Sequence, residues 1–442
     1  MNLGGSLLRN SAPYWKIVFA ISFALVLVVS CSTVSVDNST NSQTENLVLG
    51  TNTVVSSTSG DVYSGSGDWI IDQYTEYVSE NVAVDGDILI KDNGMLVLED
   101  TTISLTTSGS LVNVSDGGYL DSSVDSSISA DVAGYFNFSI YGNVSLTDTN
   151  IMGFDEIQMK NNTLNATFTN CEFQNGTGNI RVSSVYSAHF DTCYFHHINC
   201  SGYFIDGINF IVENCRFGSF EGPGTVPSPH AKSGLIHSAV LIGYVKILSN
   251  DFYEVDTYGT TQGAVIDIES ITGNVTISDN RFLRCGNFLS AIIKVQDMDA
   301  VISRNRIISS FSTRAIDLLA ANRTIAERNL IWNHTGAGIR VLWGNSTVRW
   351  NNILDNTGTG IDLVDADGAL VHGNALFSNN IGLVVDDETN APVIYLNGFL
   401  DNGQHAVDQN ADDTISWDNG TIGNLWDNYT GASGSGNIWV GD

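Results

Sequence analysis

The hydrophobic and polar positions of this chain repeat as a short phrase: a small polar residue, then any residue, then a large apolar one. The phrase returns at intervals of 22 to 25 residues, apart from two longer intervals of 35 and 30 residues. The phrases begin at Thr101, Ser126, Thr149, Cys171, Cys193, Cys215, Asn250, Asn280, Asn305, Asn329, Asn352, Asn374, Asn397 and Asn419. A period of this length indicates a solenoid of stacked coils.

The coils are expected to consist of strands. Apolar and polar residues alternate over short runs, as between Val275 and Phe282, and frequent Gly and Asn leave no long stretch with helical periodicity. One such coil cannot bury its apolar face alone, so coils must stack, and equivalent residues then form columns. Asparagines in the first column are expected to hydrogen-bond to one another at the strand spacing of roughly 4.8 Å.

These features resemble the right-handed parallel β-helix proteins, in particular the pectate-lyase-like superfamily of carbohydrate-binding and sugar-hydrolase domains. The resemblance rests on the asparagine column and on a second phrase, for example Gly338-Ile339-Arg340-Val341 and Gly360-Ile361-Asp362-Leu363. It implies an all-β, single-stranded right-handed parallel β-helix of about 14 coils. That superfamily contains lyases, hydrolases, epimerases and proteins without known chemistry, so the resemblance predicts a fold and no single activity.

Four segments are expected along the chain. In residues 1–31, Arg9 and Lys16 precede an apolar run, which predicts a signal peptide or a membrane or lipid anchor, with Cys31 as the lipidated residue in the last case. The remaining segments are a Ser/Thr/Asn-rich flexible tether (32–60), the β-helix (61–430) and a C-terminal cap or tail (431–442). Each alternative for the first segment predicts an extracellular or cell-surface protein, either membrane-anchored or secreted.

The net charge limits the kinds of molecule that the chain can bind. The chain has 48 Asp and Glu against 18 Lys and Arg, a net charge of −30. Such a surface repels nucleic acids and anionic headgroups, so we expect no nucleic-acid partner and membrane contact only through the N-terminal segment. Repeated Asn-x-Ser/Thr sequons fit a glycoprotein, although an Asn- and Thr-rich repeat also generates them by chance.

The cysteines at 171, 193 and 215 stand in the first column, which would place them near disulfide distance on adjacent coils. Their neighbours in the column are other small side chains. We therefore favour buried free thiols over disulfides at these positions.

Two coils exceed the period and predict inserted loops at residues 218–238 and 254–263. Insertions in a solenoid leave the rod on one side and often form the binding site. Counted from the first column, the segments 196–202, 218–234, 254–262 and 284–290 are expected to leave the rod at the same corner. The polar residues of that corner, with one residue on a nearby strand, are candidates for substrate binding. The candidates are His196, His197, Glu221, His230, Glu254, Asp256, Arg284 and Asp362.

The second strand of each coil carries the candidate catalytic residues. Its alternation predicts that the residue between two inward apolar residues points to solvent. This outward column reads Arg181, Phe204, His237, Asp267, Lys294, Asp317, Arg340, Asp362, Val384 and Asp408, with Glu269 beside Asp267. In the polysaccharide enzymes that the chain resembles, the sugar chain lies on such a column. An acid, a base and a cation on neighbouring rungs supply what elimination or hydrolysis requires, and the candidates are His237, Asp267, Glu269, Lys294, Asp317 and Arg340.

A purely structural role is an alternative for each of these charged candidates. Alternating charges on adjacent strands are also what cross-strand ion pairing alone would select. Carboxylates crowd successive turns near the C-terminal end and make calcium a candidate cofactor, with a solvated acidic face as the alternative. These carboxylates are Asp365, Asp367, Asp386, Asp387, Glu388, Asp412 and Asp413. No metal-binding motif is recognised.

The sequence favours an exported, surface-tethered β-helix that binds a polysaccharide or surface glycan, or serves as an adhesive or envelope component. A first alternative is a polysaccharide-cleaving enzyme, a lyase before a hydrolase or epimerase, that acts on an acidic glycan through the column from His237 to Arg340. A second alternative is a purely structural surface rod.

Overall fold

The computed structural model describes residues 58–60, 63–131, 134–160, 165–183, 186–198, 203–206, 209–218, 235–239, 243–255, 263–269, 272–321, 323–409 and 415–427. These residues form strands and turns and no helix, so the all-β prediction is confirmed. Accordingly, none of them belongs to a helix with the length and hydropathy needed to cross a membrane. The predicted export segment and the segment 431–442 lie outside the described residues, as does nearly all of the tether.

The strands form three sheets of 15 strands each, here named A, B and C. Sheet A contains Thr58–Ser59, Tyr74–Val78, Met95–Glu99, Tyr119–Ser123, Asn143–Thr147, Asn165–Thr169, Ser187–Asp191, Asn209–Glu213, Tyr244–Leu248, Asn274–Ser278, Ala300–Ser303, Ile325–Glu327, Thr347–Arg349, Leu370–His372 and Val393–Tyr395. Sheet B contains Trp69–Ile71, Ile88–Ile90, Leu111–Val114, Phe136–Ile140, Phe154–Lys160, Ile180–Ser183, Tyr203–Asp206, Ile236–Ala239, Ile266–Glu269, Gly286–Gln296, Phe311–Leu319, Ala337–Leu342, Thr359–Val364, Ile381–Val385 and Gln404–Asp408. Sheet C contains Asn81–Val84, Thr102–Leu105, Ser126–Ala130, Thr149–Met152, Glu172–Gln174, Tyr194–His196, Arg216–Gly218, Asp251–Tyr253, Arg281–Leu283, Arg306–Ile308, Leu330–Trp332, Asn352–Leu354, Ala375–Phe377, Gly398–Leu400 and Leu425–Trp426.

The chain passes through sheets A, C and B in turn and then begins the next coil. Each strand pairs in parallel with the equivalent strand of the neighbouring coil, as Phe252 does with Phe282. The exception is Thr58–Ser59, which pairs antiparallel with the strand Tyr74–Val78. The result is a parallel β-solenoid of about 13 turns, close to the predicted number of coils.

Inward residues stack on their equivalents in neighbouring coils, and one such stack of aromatic rings runs through five consecutive coils of the core. Phe173, Phe195, Phe217, Phe252 and Phe282 form a column of nearly parallel rings, with successive centroids 4.8, 4.7, 4.8 and 4.6 Å apart. All five are buried. The rings repeat at the strand spacing, so the backbone hydrogen bonds and the aromatic contacts enforce the same register.

The predicted asparagine column is present at the bend between sheets A and C. Asn280 Nδ2 donates to Asn305 Oδ1 at 2.9 Å, and Asn305 Nδ2 donates to Asn329 Oδ1 at 3.0 Å. The same amides reach backward along the rod, since Asn280 Nδ2 also donates to the Ile247 carbonyl at 2.8 Å. Each buried amide thus satisfies backbone groups that the bend removes from the sheets.

Two of the residues predicted for that column, Asn352 and Asn419, do not belong to it. The column residue is Asn351, which accepts from Asn329 Nδ2 at 2.9 Å, whereas Asn352 lies in a strand and points outward. Asn424 accepts from Asn397 Nδ2 at 3.0 Å, whereas Asn419 is exposed in a turn. In the first case two adjacent asparagines fit the phrase equally well, and in the second the last coil has extra residues before its strand.

A second buried polar column, not predicted, runs along the bend between sheets C and B. His334 N donates to Asn356 Oδ1 at 2.8 Å, and Asn356 Nδ2 donates to Asn379 Oδ1 at 2.9 Å. Asn379 Nδ2 then donates to Asn402 Oδ1 at 3.1 Å. In the C-terminal coils, columns of hydrogen-bonded side chains therefore join neighbouring coils at two bends, the one between sheets A and C and the one between sheets C and B.

The glycine of the second phrase is required by close packing between coils. A Cβ on Gly360 would lie 2.5 Å from the Gly382 carbonyl oxygen and 2.9 Å from Leu376 Cδ2. Any side chain there would separate the rungs.

The described cysteines are free and buried, in agreement with the interpretation of the first column as thiols. Cys171 Sγ and Cys193 Sγ lie 3.3 Å from the carbonyl oxygens of Leu146 and Phe168. Burial raises the pKa of Cys285 to about 12, so its thiol stays protonated near neutral pH. These thiols serve as small core side chains.

Candidate functional site

The outward column on sheet B has the predicted register. From Arg181 to Val384, each predicted member is the direct strand partner of the next. Its last predicted member was wrong, because Val384 pairs with Val407 while Asp408 pairs with the buried Val385. The candidate catalytic residues therefore occupy five consecutive rungs, as their spacing in the sequence indicated.

Several of these outward residues are nevertheless inaccessible. Asp267 is 1% exposed, Asp317 4% and Lys294 8%. Charges removed from water to this degree are stable only when paired with opposite charges or hydrogen-bonded. Each of the three lies in an ion pair, so the rungs from Asp267 to Arg340 hold fixed charge clusters and not separate solvated side chains.

The first cluster joins His237, Asp267, Glu269 and Lys294 on three rungs. Lys294 Nζ lies 2.6 Å from Glu269 Oε1 and 3.2 Å from Asp267 Oδ1. His237 Nδ1 lies 3.9 Å from Asp267 Oδ2. The side chains of His237 and Glu269 are 20% and 28% exposed, so these two form the accessible edge of the cluster.

Burial has the largest effect on the pKa of the Asp267 carboxyl. It raises the pKa of Asp267 to about 7, against the lowering effect of the Lys294 ammonium. Burial alone would lower the pKa of Lys294, but Asp267 and Glu269 together hold it above its usual value. Asp267 is consequently a carboxyl that both gives and takes a proton near neutral pH.

The second cluster joins Asp317, Arg340, Arg314 and Asp362. The Arg340 guanidinium donates to both carboxylate oxygens of Asp317, with Nε–Oδ1 and NH2–Oδ2 distances of 2.7 Å each. Arg314 NH1 lies 3.9 Å from Asp317 Oδ2, and its side chain is 28% exposed. Burial raises the pKa of Asp362, and the nearby Arg340 and Arg314 oppose that rise.

Sequence reasoning missed Arg314. It lies in the nine-residue strand Phe311–Leu319, whose pairing with the preceding rung is irregular between Asn287 and Ala291. Counting by twos along an irregular strand does not locate its outward face. A basic residue three positions before a predicted site carboxylate is the signal that was available.

The predicted corner contains four described candidates. His197, Glu254 and Arg284 all stand in left-handed turn positions after sheet C strands, with φ of 54°, 50° and 55°. Arg284 NH1 donates to Glu254 Oε1 at 3.1 Å. His196, the last residue of its strand, has its Nε2 2.6 Å from Glu172 Oε1 and its Nδ1 beside His197 Nδ1. Glu221, His230 and Asp256 lie outside the described residues.

Two carboxylates of the acidic turns near the C-terminal end accept hydrogen bonds from the turns themselves. Asp386 Oδ1 accepts from Thr389 N at 2.9 Å and from Asp365 N at 3.1 Å, and Asp367 Oδ1 accepts from Asn390 N at 2.7 Å. Asp412 and Asp413 are not among the described residues. Within the part of the chain that is described, no three His, Cys, Asp or Glu residues are grouped to hold a metal ion.

A family profile described as "Periplasmic copper-binding protein (NosD)" matches residues 269–431. The chain is a parallel β-helix protein. Solved structures with some likeness include the periplasmic alginate epimerase AlgG (10% identity, 80% of this chain and 77% of that one, TM-score 0.35). Others are the alginate lyase AlyF-OU02 with G6 (12%, 77% and 82%, TM-score 0.38) and the Dettilon tailspike gp208 (14%, 73% and 64%, TM-score 0.36). No curated protein matches the sequence. Likeness at this level assigns no activity to this chain.

Proposed function

We propose that this chain is an exported glycan-binding β-helix whose binding surface is the outer face of sheet B between His237 and Asp362. The observation that carries the proposal is the pair of charge clusters, in which buried ion pairs fix partly exposed polar groups on consecutive rungs. A sugar polymer presents hydroxyls at regular intervals, and rigidly held donors and acceptors bind them at little entropic cost.

The residues divide into a support and a contact set. Asp267, Lys294, Asp317 and Arg340 are the more deeply buried and hold the geometry. The contact set is the more accessible remainder, namely His237, Glu269, Arg314 and Asp362.

The charge balance favours a neutral glycan. The two clusters hold four carboxyl groups (Asp267, Glu269, Asp317 and Asp362) against three cations (Lys294, Arg314 and Arg340) besides His237. All three cations already face a carboxylate, so an acidic polymer would have to displace an existing ion pair and approach a chain of net charge −30.

The apolar run of residues 17–29 supports export, and the matching family profile is named for periplasmic proteins. We propose that the N-terminal segment and tether either anchor the rod at the surface or are removed on secretion.

The binding test is retention of the full chain on immobilised neutral and uronate polysaccharides. We expect retention on a neutral polymer, lost in Arg314→Ala and kept in the control Arg323→Ala, whose side chain is 82% exposed in a turn outside sheet B. If both variants are retained equally, sheet B is not the binding surface. If the native chain is retained on no polymer, a purely structural role is the remaining function.

A second candidate function, polysaccharide cleavage, is favoured by the position of Asp267 between His237 and Lys294, where burial raises the pKa of its carboxyl to about 7. Such a carboxyl is suited to general acid–base catalysis at neutral pH. Polysaccharide cleavage is placed second because the buried Asp267 has little access to a substrate. Release of unsaturated sugar ends from a uronate polymer, abolished in Asp267→Asn, would reverse that order.

A further inference from the structure

An excess of positive charge lies beside the bend between sheets A and C. Ten of the 18 Lys and Arg residues fall between residues 281 and 349, although the chain as a whole carries a net charge of −30. Five of these ten are exposed or half-buried arginines at this bend or on the strands that adjoin it. They are Arg281, Arg304, Arg306, Arg328 and Arg349, here named the arginine patch.

Three members of the arginine patch are already neutralised by carboxylates. The pairs are Arg281 with Asp251 (Nε–Oδ1, 2.8 Å), Arg304 with Asp279 (Nε–Oδ1, 2.7 Å) and Arg349 with Glu327 (Nε–Oε2, 2.7 Å). Each pair joins neighbouring rungs, as cross-strand ion pairing requires. A structural role therefore explains these three arginines.

Arg306 and Arg328 are not explained in this way. Both side chains are exposed, and neither forms a hydrogen bond or an ion pair with any residue that the structure describes. Arg306 is the direct strand partner of Arg281 on one side and of Leu330 on the other. Arg328 and Arg304 take equivalent left-handed positions on consecutive rungs, with φ of 54° and 56°. Like charges opposite each other do not stabilise a sheet, so cross-strand pairing does not account for these two side chains.

The two unpaired guanidinium groups can reach one anion. Arg328 precedes Leu330 by two residues, so it stands diagonally opposite Arg306. Diagonal neighbours on adjacent strands lie roughly 7 to 8 Å apart, a separation that two arginine side chains can bridge. A guanidinium group presents its donors as a planar fork that matches the oxygens of an anionic group. Because no carboxylate of the described chain occupies either fork, an external anion binds there without displacing an ion pair.

Apolar side chains adjoin these arginines on the same face of sheet C. Leu330 is half-buried, Trp332 is 45% exposed, and both point outward from the strand Leu330–Trp332. Trp332 Nε1 donates to Asp355 Oδ2 at 2.9 Å, which holds the indole in place. An indole fixed in this way offers an apolar surface for the C–H groups of a sugar ring. The combination of this indole with two unpaired guanidinium groups fits a sugar that carries a negative charge.

We propose that Arg306 and Arg328 bind the anionic group of an acidic polysaccharide, with the sugar ring against Leu330 and Trp332. The group is a uronate carboxylate or a sulfate ester, since both present oxygens to a guanidinium fork. The site lies on sheet C and is independent of the neutral-glycan surface proposed for sheet B, where every cation already faces a carboxylate. At physiological ionic strength, charges more than about 8 Å away are largely screened, so the two unpaired arginines outweigh the net charge of the rod.

The first test measures the affinity of the full chain, by isothermal titration calorimetry, for a short oligouronate, a neutral oligosaccharide and the sulfated form of that oligosaccharide. We expect the native chain to bind an anionic probe, and Arg306→Ala/Arg328→Ala to bind it at least about tenfold more weakly, because charge-assisted hydrogen bonds are lost. The control Lys246→Ala/Arg323→Ala removes two exposed positive charges outside the arginine patch and should keep the native affinity. The anionic probe that shows the loss identifies the group as carboxylate or sulfate.

Two outcomes of this test would overturn the proposal. In the first, the native chain binds neither anionic probe more tightly than the neutral oligosaccharide. In the second, both double variants lose affinity equally, so that only the total charge matters. Neither outcome bears on sheet B, whose test uses a neutral polymer and Arg314→Ala.

The second test separates a binding role from a structural one. Arg306→Ala and Arg328→Ala should leave the midpoint of denaturant unfolding unchanged, because neither side chain has a partner in the described chain to lose. Trp332→Ala should weaken binding of the anionic probe several-fold, whereas the control Trp343→Ala, which removes an indole that is 59% exposed after a sheet B strand, should not. A lower midpoint in either arginine variant, or equal affinity of the two tryptophan variants, would contradict the proposal.

Discussion

At the scale of single residues, the outer face of sheet B shows what burial does to charged side chains. The bidentate contact between Arg340 and Asp317 fixes two side chains that are 14% and 6% exposed. A buried ion pair of this kind adds little to net stability, because desolvation offsets the attraction. It adds geometry, since neither side chain can turn away without leaving a buried charge unpaired.

The first prediction follows from that asymmetry. Arg340→Met should destabilise the fold by about 3 kcal/mol, because Asp317 would keep only the more distant Arg314. The double variant Asp317→Leu/Arg340→Met should recover most of that loss. Denaturant unfolding measures both, and a double variant as unstable as the single one would refute the argument.

A second residue-scale prediction concerns His334, which is fully buried in the column between sheets C and B. Burial lowers its pKa to about 4, below the ordinary histidine value of 6.5. Between pH 6.5 and 4 the unfolded chain takes up a proton that the folded chain refuses, so this residue's contribution to stability falls as pH falls, by about 3 kcal/mol in all. Above pH 6.5 the contribution is constant.

His334→Asn tests this, because asparagine fits the column that Asn356 continues. The free energy of unfolding of the variant should depend less on pH than that of the native chain between pH 6.5 and 4. The other titrating groups are common to both proteins and cancel in the difference. Equal slopes would show that His334 does not titrate in this window.

At the scale of the elements, period-two alternation was enough to predict the outward column from Arg181 to Val384, because inward and outward side chains alternate within each sheet B strand even where the preceding loop is longer. It was not enough where register is locally ambiguous, as at the adjacent asparagines 351 and 352, or irregular, as in the strand that holds Arg314. Nor does alternation reveal burial: it gives the face on which Asp267 lies but not its near-complete loss of solvent contact. The second polar column also escaped, although Asn356, Asn379 and Asn402 recur every 23 residues, because these asparagines stand outside the repeated phrase that predicted the first column.

The adjacent asparagines allow a matched test of the first column. Asn351→Ala removes the side-chain oxygen that accepts from Asn329 N and Asn329 Nδ2. It also removes the side-chain nitrogen that donates to the Ala326 carbonyl, and all three hydrogen bonds are buried. We expect a loss of about 3 kcal/mol in the free energy of unfolding. Asn352→Ala, one residue later and outward, should change it by less than about 0.5 kcal/mol. Similar losses in both variants would place Asn352 in the column after all.

At the scale of the whole molecule, a solenoid is a row of coils that contact only their neighbours, so its ends need covers. At one end, Thr58–Ser59 covers an edge of sheet A, and Trp69 packs between Tyr63 and Tyr77. At the other, Trp426 stacks on Phe399 with centroids 4.3 Å apart and contacts Trp417 at 5.8 Å. The core between the ends is continuous from one cover to the other.

The final prediction separates local from global stability. Trp426→Ala removes the ring that covers Phe399, so the last coils should open more often while distant coils keep their neighbours. Amide hydrogen exchange should therefore accelerate in Gly398–Leu400 and less in Ala375–Phe377, and remain unchanged in Leu96 and other strands near the first end. The control is Trp343→Ala, since that ring is 59% exposed and its loss should leave the pattern intact. Acceleration of similar size along the entire rod would mean that the coils unfold as one cooperative unit, and the nearest-neighbour description of this protein would be wrong.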